Sequence, residues 1–336
     1  MRAIAWPLDA LRAIALRAFG RFGRTLLRDR DLRVSSLATL GVLFALALAV
    51  SFPAVAFALG PLVLGVPHLV ADVRYLVVRP GHLKRFPLVL FVLVPLVFVW
   101  LSPWAKVGLL PVVGAIFVAR STLTKKSLAL GFFCAAYAAA WVYPTATTYV
   151  ILHAHNVVAV ALYAWLFARS RRNGWLILFL FALGCMMLLS GATDALLFRP
   201  GAWVTFQTGA SLSDMAYQLA PLKNVQWALR IAAFFVFAQS VHYVVWLRLI
   251  PDDARERRGV RTFASSFRAL AADIGAPLLW FALALSCGLL VFGAVHLDRA
   301  RLLYLSIASF HGYLEFAIAT IVLLEGRGLK ERLKLT

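Results

Sequence analysis

Long apolar runs separated by short, arginine-rich connections dominate the chain, and they are too long and too uniformly apolar for the half-buried strands or striped helices of a soluble domain. Crossing about 30 Å of hydrocarbon takes roughly 20 helical residues. On that criterion the sequence predicts helices near 36–53, 54–77, 86–102, 104–120, 127–143, 146–168, 174–197, 225–247, 274–296 and 301–324. The expected fold is an all-α, polytopic transmembrane bundle of about ten helices. In 36–77, Pro53 and Pro61 admit a different division of the run, and the third and fourth helices are short.

Residues 1–33 have a different rhythm. Leu11, Ala15, Phe19, Phe22 and Leu26 fall on one side of a 3.6-residue helix, and Arg17, Arg21, Arg24 and Arg28 fall on another. Such a helix lies in the plane of an anionic leaflet or docks a partner. The organisation expected is therefore a basic amphipathic segment (1–33), a transmembrane helical domain (34–325) and a basic tail (326–336). The polar stretch 199–224, with Trp203, Ser211, Asp214 and Tyr217, is expected as the one sizeable outer loop.

Composition strengthens the membrane reading. The 336 residues are 62% hydrophobic and 14% charged, too little polar surface to cover a soluble globule of this size. The net charge of +20 does not point to nucleic acid, because the basic residues sit in short runs between apolar stretches. With a cytoplasmic N-terminus, 28 of the 34 Lys and Arg fall in segments on the cytoplasmic side. The positive-inside rule thus selects an N-in, C-in protein of a bacterial-type inner membrane. Cys134, Cys185 and Cys287 lie inside apolar stretches without paired spacing, which excludes a zinc knuckle and covalent haem attachment. No glycine-rich phosphate loop, GxSxG or HExxH motif is present.

The chemistry that remains is intramembrane. Ionisable groups there are costly unless they face a partner or a cavity. His68, His153, His155, His242 and His311 all fall within predicted spans, whereas His82 belongs to a basic loop and His296 to a helix end. Imidazole is the commonest ligand for iron, zinc and copper, and histidines from separate helices can build a site inside a bundle. Asp72 and Glu315 each follow a histidine by four residues and share its helix face, as metal ligands or as acceptors of the second ring N–H. His153 and His155 are about 200° apart around their helix, so one of them is expected at a given centre. Asn156 shares a side with His153 and is suited to orient it. Measured from the expected outer ends, His68 and His242 lie roughly 21–24 Å deep and His153, His155 and His311 only about 10–14 Å, which leaves one site or two open. Asp194 and Arg230 are expected as an ion pair near one interface, with a proton path as the alternative. Tyr137, Trp141, Trp227, Tyr243 and Trp246 suit either an interfacial belt or a groove for a flat apolar ligand.

The order of these motifs, Gly65-Val66-Pro67-His68-x-x-x-Asp72, Ile151-Leu152-His153, Ser240-Val241-His242 and His311 with a following acid, resembles the Brp/Blh family of membrane β-carotene 15,15′-dioxygenases. The resemblance implies a helical membrane enzyme whose histidines bind ferrous iron and which cleaves a carotenoid with dioxygen. It would make His68 a ligand beside Asp72, His153 or His155 a second, His242 a third and His311 a fourth. The chain departs from the pattern at Leu69, where the family has glycine, in lacking the acid of the second motif, and at Trp246, where the family has a second histidine.

The leading expectation is a histidine-ligated Fe(II) oxygenase or oxidoreductase acting on a lipid-soluble substrate such as a carotenoid or other isoprenoid. Its reductant, if one is needed, comes from elsewhere, because no nicotinamide or flavin motif is visible. A proton- or cation-coupled transporter and a non-catalytic membrane scaffold are the alternatives from other classes.

Overall fold

The computed structural model describes residues 2–102, 104–199, 219–255 and 261–326, with side chains from residue 6 onward. The expected outer loop at 199–224 and the basic tail therefore fall largely outside the described residues. The described chain is helical: α1 (Arg2–Ala18), α2 (Gly20–Arg28), α3 (Arg30–Ser51), α4 (Pro53–Val78), α5 (Phe86–Leu101), α6 (Ala105–Val118), α7 (Leu123–Val142), α8 (Pro144–Phe167), α9 (Arg171–Leu189), α10 (Val225–Asp253), α11 (Phe263–Ile274), α12 (Ala276–Val295) and α13 (Leu297–Glu325). Seven of these, α3, α4, α8, α9, α10, α12 and α13, are long and apolar enough to cross a membrane. The protein is thus a multi-pass membrane protein. The other three segments expected to span are also helical, but α5 and α6 are shorter than a full span and α7 carries Lys125 and Lys126 in its first turn.

Local signals explain the boundaries. The Asp29 side chain accepts the backbone N–H of Leu32 (3.0 Å), and that cap starts α3 six residues before the expected position. Thr122, Asn224 and Thr262 cap α7, α10 and α11 in the same way. Proline occupies the first turn of α4, α8 and α12, where its missing N–H costs nothing. The predicted N-terminal helix is divided: Gly20, at φ +56°, separates α1 from α2. Leu11, Ala15, Phe19 and Phe22 remain exposed, so the apolar face read from the sequence is left uncovered by protein.

Helix α11 lies between the expected spans 225–247 and 274–296, where the sequence predicts no helix. It packs against α1, where Asp9 accepts the N–H of Phe263 (2.7 Å) and Arg12 lies 5.1 Å over the Phe263 ring. Gly275, at φ +87°, then turns the chain into α12.

The bundle is held by close helix contacts. Ala38, Val42, Ala45 and Ala49 are buried small residues of α3, which packs against both α9 and α10, and a Cβ on Gly41 would come within 2.6 Å of Val244 of α10. At the end where α3 begins and α10 ends, Arg33 grips Asp252 through Nε (2.7 Å) and Nη2 (3.2 Å). Tyr163 donates to Asp253 (2.8 Å), and Arg169 donates to the Asp253 carbonyl (2.7 Å). This buried network ties α3, α8 and α10 together and carries α10 past the expected end at 247.

At the opposite end, Arg230 Nε donates to Asp194 (3.0 Å), the expected ion pair, and this hydrogen bond holds the Asp194 carboxyl below the usual carboxylate range. Helices α4, α5, α8 and α10 each contain a π-helical stretch, at Val73–Val78, Val89–Leu93, Tyr163–Phe167 and Val245–Leu249. Leu40, Phe44, Phe132, Trp141, Trp175 and Phe179 are among many large apolar side chains left exposed around the bundle, as a lipid-facing surface requires.

Candidate metal centre

Three of the most enclosed helices, α4, α10 and α13, bring His68, Asp72, His242 and His311 together, each with a donor atom within 4.8 Å of the other three. The i, i+4 spacing places Asp72 one turn beyond His68, with Oδ2 3.8 Å from His68 Nε2. Glu315 follows His311 at the same spacing, yet its Oε1 lies 3.6 Å from His242 Nε2 on the neighbouring helix. The acid paired in sequence with His311 is thus delivered to His242. Trp246 Nε1–H fixes that placement by donating to Glu315 Oε1 (2.7 Å).

Helix α8 completes the cluster with His155. Its ring is 5.4 Å from that of His242 and 5.1 Å from that of His311, while His68 stands 5.2 Å from His242 and 4.9 Å from His311. His153 points elsewhere: its Nε2–H donates to the Leu219 carbonyl (2.9 Å) and its ring stacks on Phe234. Of the two histidines the sequence left open, His155 is the one beside the other three. The expected pairing of Asn156 with His153 is absent too, since the Asn156 amide reaches the Leu152 carbonyl (3.5 Å). His153 instead lines an apolar cavity of about 690 Å³ between α8 and α10, with Tyr149, Val157, Ile231 and Phe234.

Helix boundaries close the depth gap for His311, while His155 lies only 11 residues, ~17 Å, from the start of α8 and still reaches the other rings. Because α13 begins at Leu297 rather than 301, His311 lies 14 residues, ~21 Å, from its start. His68 lies 15 residues, ~23 Å, from the start of α4, so the two histidines are level.

Close approach of the helices depends on glycines at two places. A Cβ on Gly65 would stand 2.3 Å from the Tyr304 ring, so the bare backbone admits that ring from α13. Tyr304 Oη then comes 3.5 Å from His68 Nδ1. A Cβ on Gly312 would lie 3.3 Å from His155, which makes room for α8. Sequence reasoning missed Tyr304, although it precedes His311 by seven residues, two helical turns on the same face. Trp246 and Tyr243 were read only as aromatics of a belt or groove. Trp246 is buried beside Glu315 and the Tyr243 ring is 5.0 Å from His68, whereas Trp141 and Trp227 are exposed. His82, expected in an open loop, is buried and donates Nδ1–H to the Leu76 carbonyl (2.7 Å).

The donor atoms point inward without partners of their own. His311 Nδ1–H donates to the Ala308 carbonyl, so its Nε2 carries the lone pair. His68 Nε2, both Asp72 oxygens, both His242 nitrogens and Glu315 Oε2 are buried without a hydrogen-bond partner. Unpaired polar atoms cost several kcal/mol apiece in a low-dielectric interior. So many in one place fit a bound cation, and the mixture of imidazole and carboxylate suits a divalent transition metal. No protein-family model matches the chain, and neither the curated proteins nor the solved structures searched contain a match to it.

Proposed function

We propose that the chain is a membrane oxidoreductase in which His68, His242, His311 and Asp72, with His155 and Glu315 beside them, hold Fe(II) for oxygen chemistry on a lipid-soluble substrate. The observation that carries this reading is the convergence of unpartnered histidine and carboxylate donors from separate helices at one buried point. The ordered motifs resembling the Brp/Blh dioxygenases support iron and dioxygen as the chemistry, with a carotenoid or other isoprenoid as the substrate class. When bound, the metal would supply the means of activating dioxygen.

The chain's own residues do the rest. His311 is oriented by the Ala308 carbonyl and His68 by Tyr304, so that Nε2 of each faces the centre. Trp246 holds Glu315 beside His242. The surrounding apolar side chains exclude bulk water and so protect reactive species. The cavity lined by His153 shares α8 with the centre and offers an apolar substrate a place to enter from lipid. In the bilayer the reading is of about ten helices, N-in and C-in, with the Arg33–Asp252 end and the basic α1 at the anionic cytoplasmic face of a bacterial-type inner membrane.

The test is elemental mass spectrometry on detergent-purified protein, wild type beside a His68→Ala, His242→Ala double variant, followed by assays with carotenoids under oxygen. Iron in the wild type that the folded variant lacks supports the reading. Wild-type protein free of metal after expression in ample iron, with pH-driven ion flux in proteoliposomes, would replace it with the transporter reading.

A further inference from the structure

The centre offers more donors than one open ion uses. Helix α4 gives His68 and Asp72, α13 gives His311 and Glu315, α10 gives His242 and α8 gives His155, so four imidazoles and two carboxylates meet. Six donors on one ion complete an octahedron and leave no position for oxygen. A 2-His-1-carboxylate triad uses three donors and keeps one face open.

The cluster divides into two such triads. In one, His68 Nε2 lies 3.8 Å from Asp72 and its ring 4.9 Å from that of His311. In the other, His242 Nε2 lies 3.6 Å from Glu315 and its ring 5.4 Å from that of His155. The halves adjoin through His68 and His242 (5.2 Å) and through His155 and His311 (5.1 Å). Both contain unpartnered buried atoms: His68 Nε2 and the Asp72 oxygens in the first, the His242 nitrogens and Glu315 Oε2 in the second.

The placement of the acids argues the same way. An acid that only orients a metal-bound histidine accepts the N–H on the ring nitrogen away from the metal. On His68 and His311 that nitrogen faces Tyr304 and the Ala308 carbonyl, while Asp72 and Glu315 both lie beside an Nε2. Asp72 therefore occupies the ligand side of the His68 ring, and Glu315 lies beside a His242 ring whose two nitrogens are both unpartnered.

We infer that the centre is built for two metal ions, one held by His68, His311 and Asp72 and the other by His242, His155 and Glu315; this rests on the metal-centre reading above. The experiment is anaerobic titration of the detergent-purified full chain with Fe(II), reading iron per chain by elemental mass spectrometry and, after mild oxidation, the EPR spectrum. Two irons per chain are expected, with a weak EPR signal because neighbouring ferric ions couple. Glu315→Gln, His155→Ala and Asp72→Asn should each keep one iron and gain the strong signal of an isolated high-spin ferric ion.

One iron in the wild type, with a full isolated-ion signal, would overturn the pair and leave the metal-centre reading standing. No iron, cobalt or zinc bound by folded wild-type protein would overturn both. The wild-type stoichiometry decides the matter even if a variant fails to fold.

Discussion

Replacing Gly65 by alanine adds one methyl group, and the structure places that methyl against Tyr304. The new Cβ would lie 2.3 Å from ring carbon Cε2, 2.4 Å from Cζ and 2.9 Å from Oη. Carbon atoms settle near 3.5–4.0 Å apart, so the ring must withdraw by about 1 Å or more. Tyr304 Oη is already 3.5 Å from His68 Nδ1, and a withdrawal of that size ends the contact. Two consequences follow by separate routes. Overpacking between α4 and α13 should cost about 1–3 kcal/mol of stability. Losing the outer partner of a metal-bound histidine should weaken metal binding about 10–100-fold. Tyr304→Phe separates them, because it keeps the ring and removes only the hydroxyl. It should reproduce the loss of metal affinity with little overpacking, and Gly65→Ala in that background should then add little further loss of affinity. The assays are chelator competition for metal affinity and thermal unfolding in detergent for stability. Single variants whose affinity losses multiply fully in the double variant, or a Gly65→Ala protein within about twofold of wild type, would refute the route through Tyr304.

Other consequences are open to simpler tests. Asp252→Ala removes the carboxylate shared by the buried Arg33 guanidinium and that of Arg255, leaving Arg33 its bond to the Leu26 carbonyl, and should cost about 3–5 kcal/mol in detergent unfolding curves; a loss under about 1 kcal/mol would refute it. His153→Phe should leave metal content unchanged while His155→Ala lowers it, and elemental analysis showing the reverse would put the wrong histidine at the centre. Burial, with Arg85 nearby, lowers the His82 pKa from its ordinary 6.5, so the folded protein holds this ring neutral where the unfolded chain takes up a proton. Stability should therefore be full above about pH 6.5 and fall as the pH drops through that value toward the lowered one, and His82→Gln should flatten this part of the profile in pH-dependent unfolding.

Seven of the ten expected spans were legible because a hydrocarbon crossing demands an apolar run of known length; the other three expected runs are helical but too short or too polar to qualify. The sequence did not disclose α11, whose amphipathic pattern is masked by the arginines around it, or the true start of α13, which the polar Asp298, Arg299 and Arg301 disguise as a loop. At the centre, spacing alone placed Asp72 beside His68, since that contact is made within one helix. It could not show that Glu315 serves His242, because that contact depends on how α13 packs against α10. Nor could periodicity choose between His153 and His155, which differ only in which neighbour each face of α8 meets. The i, i+4 spacing was read at His68–Asp72 and His311–Glu315; that Trp246 follows His242 at the same spacing and also serves the site was not.

The π-helical stretch at Val245–Leu249 lies between His242 and the Asp252–Asp253 pair on the same helix. A π turn contains about one residue more than an α turn and so offsets everything beyond it by close to 100°. It acts as a phase adjuster, letting one rod present its histidine to the centre and its aspartates to α3 and α8, two directions that an uninterrupted rod would have to reconcile. Such an offset is reversible in a single step. Removing one residue from 245–249 would let the helix run straight with both His242 and the Asp252–Asp253 pair aimed as before, whereas an uninterrupted α-helix that kept every residue would swing the pair about 100° away from Arg33 and Tyr163. One extra residue thus sets the phase between the histidine end and the fastening end of α10.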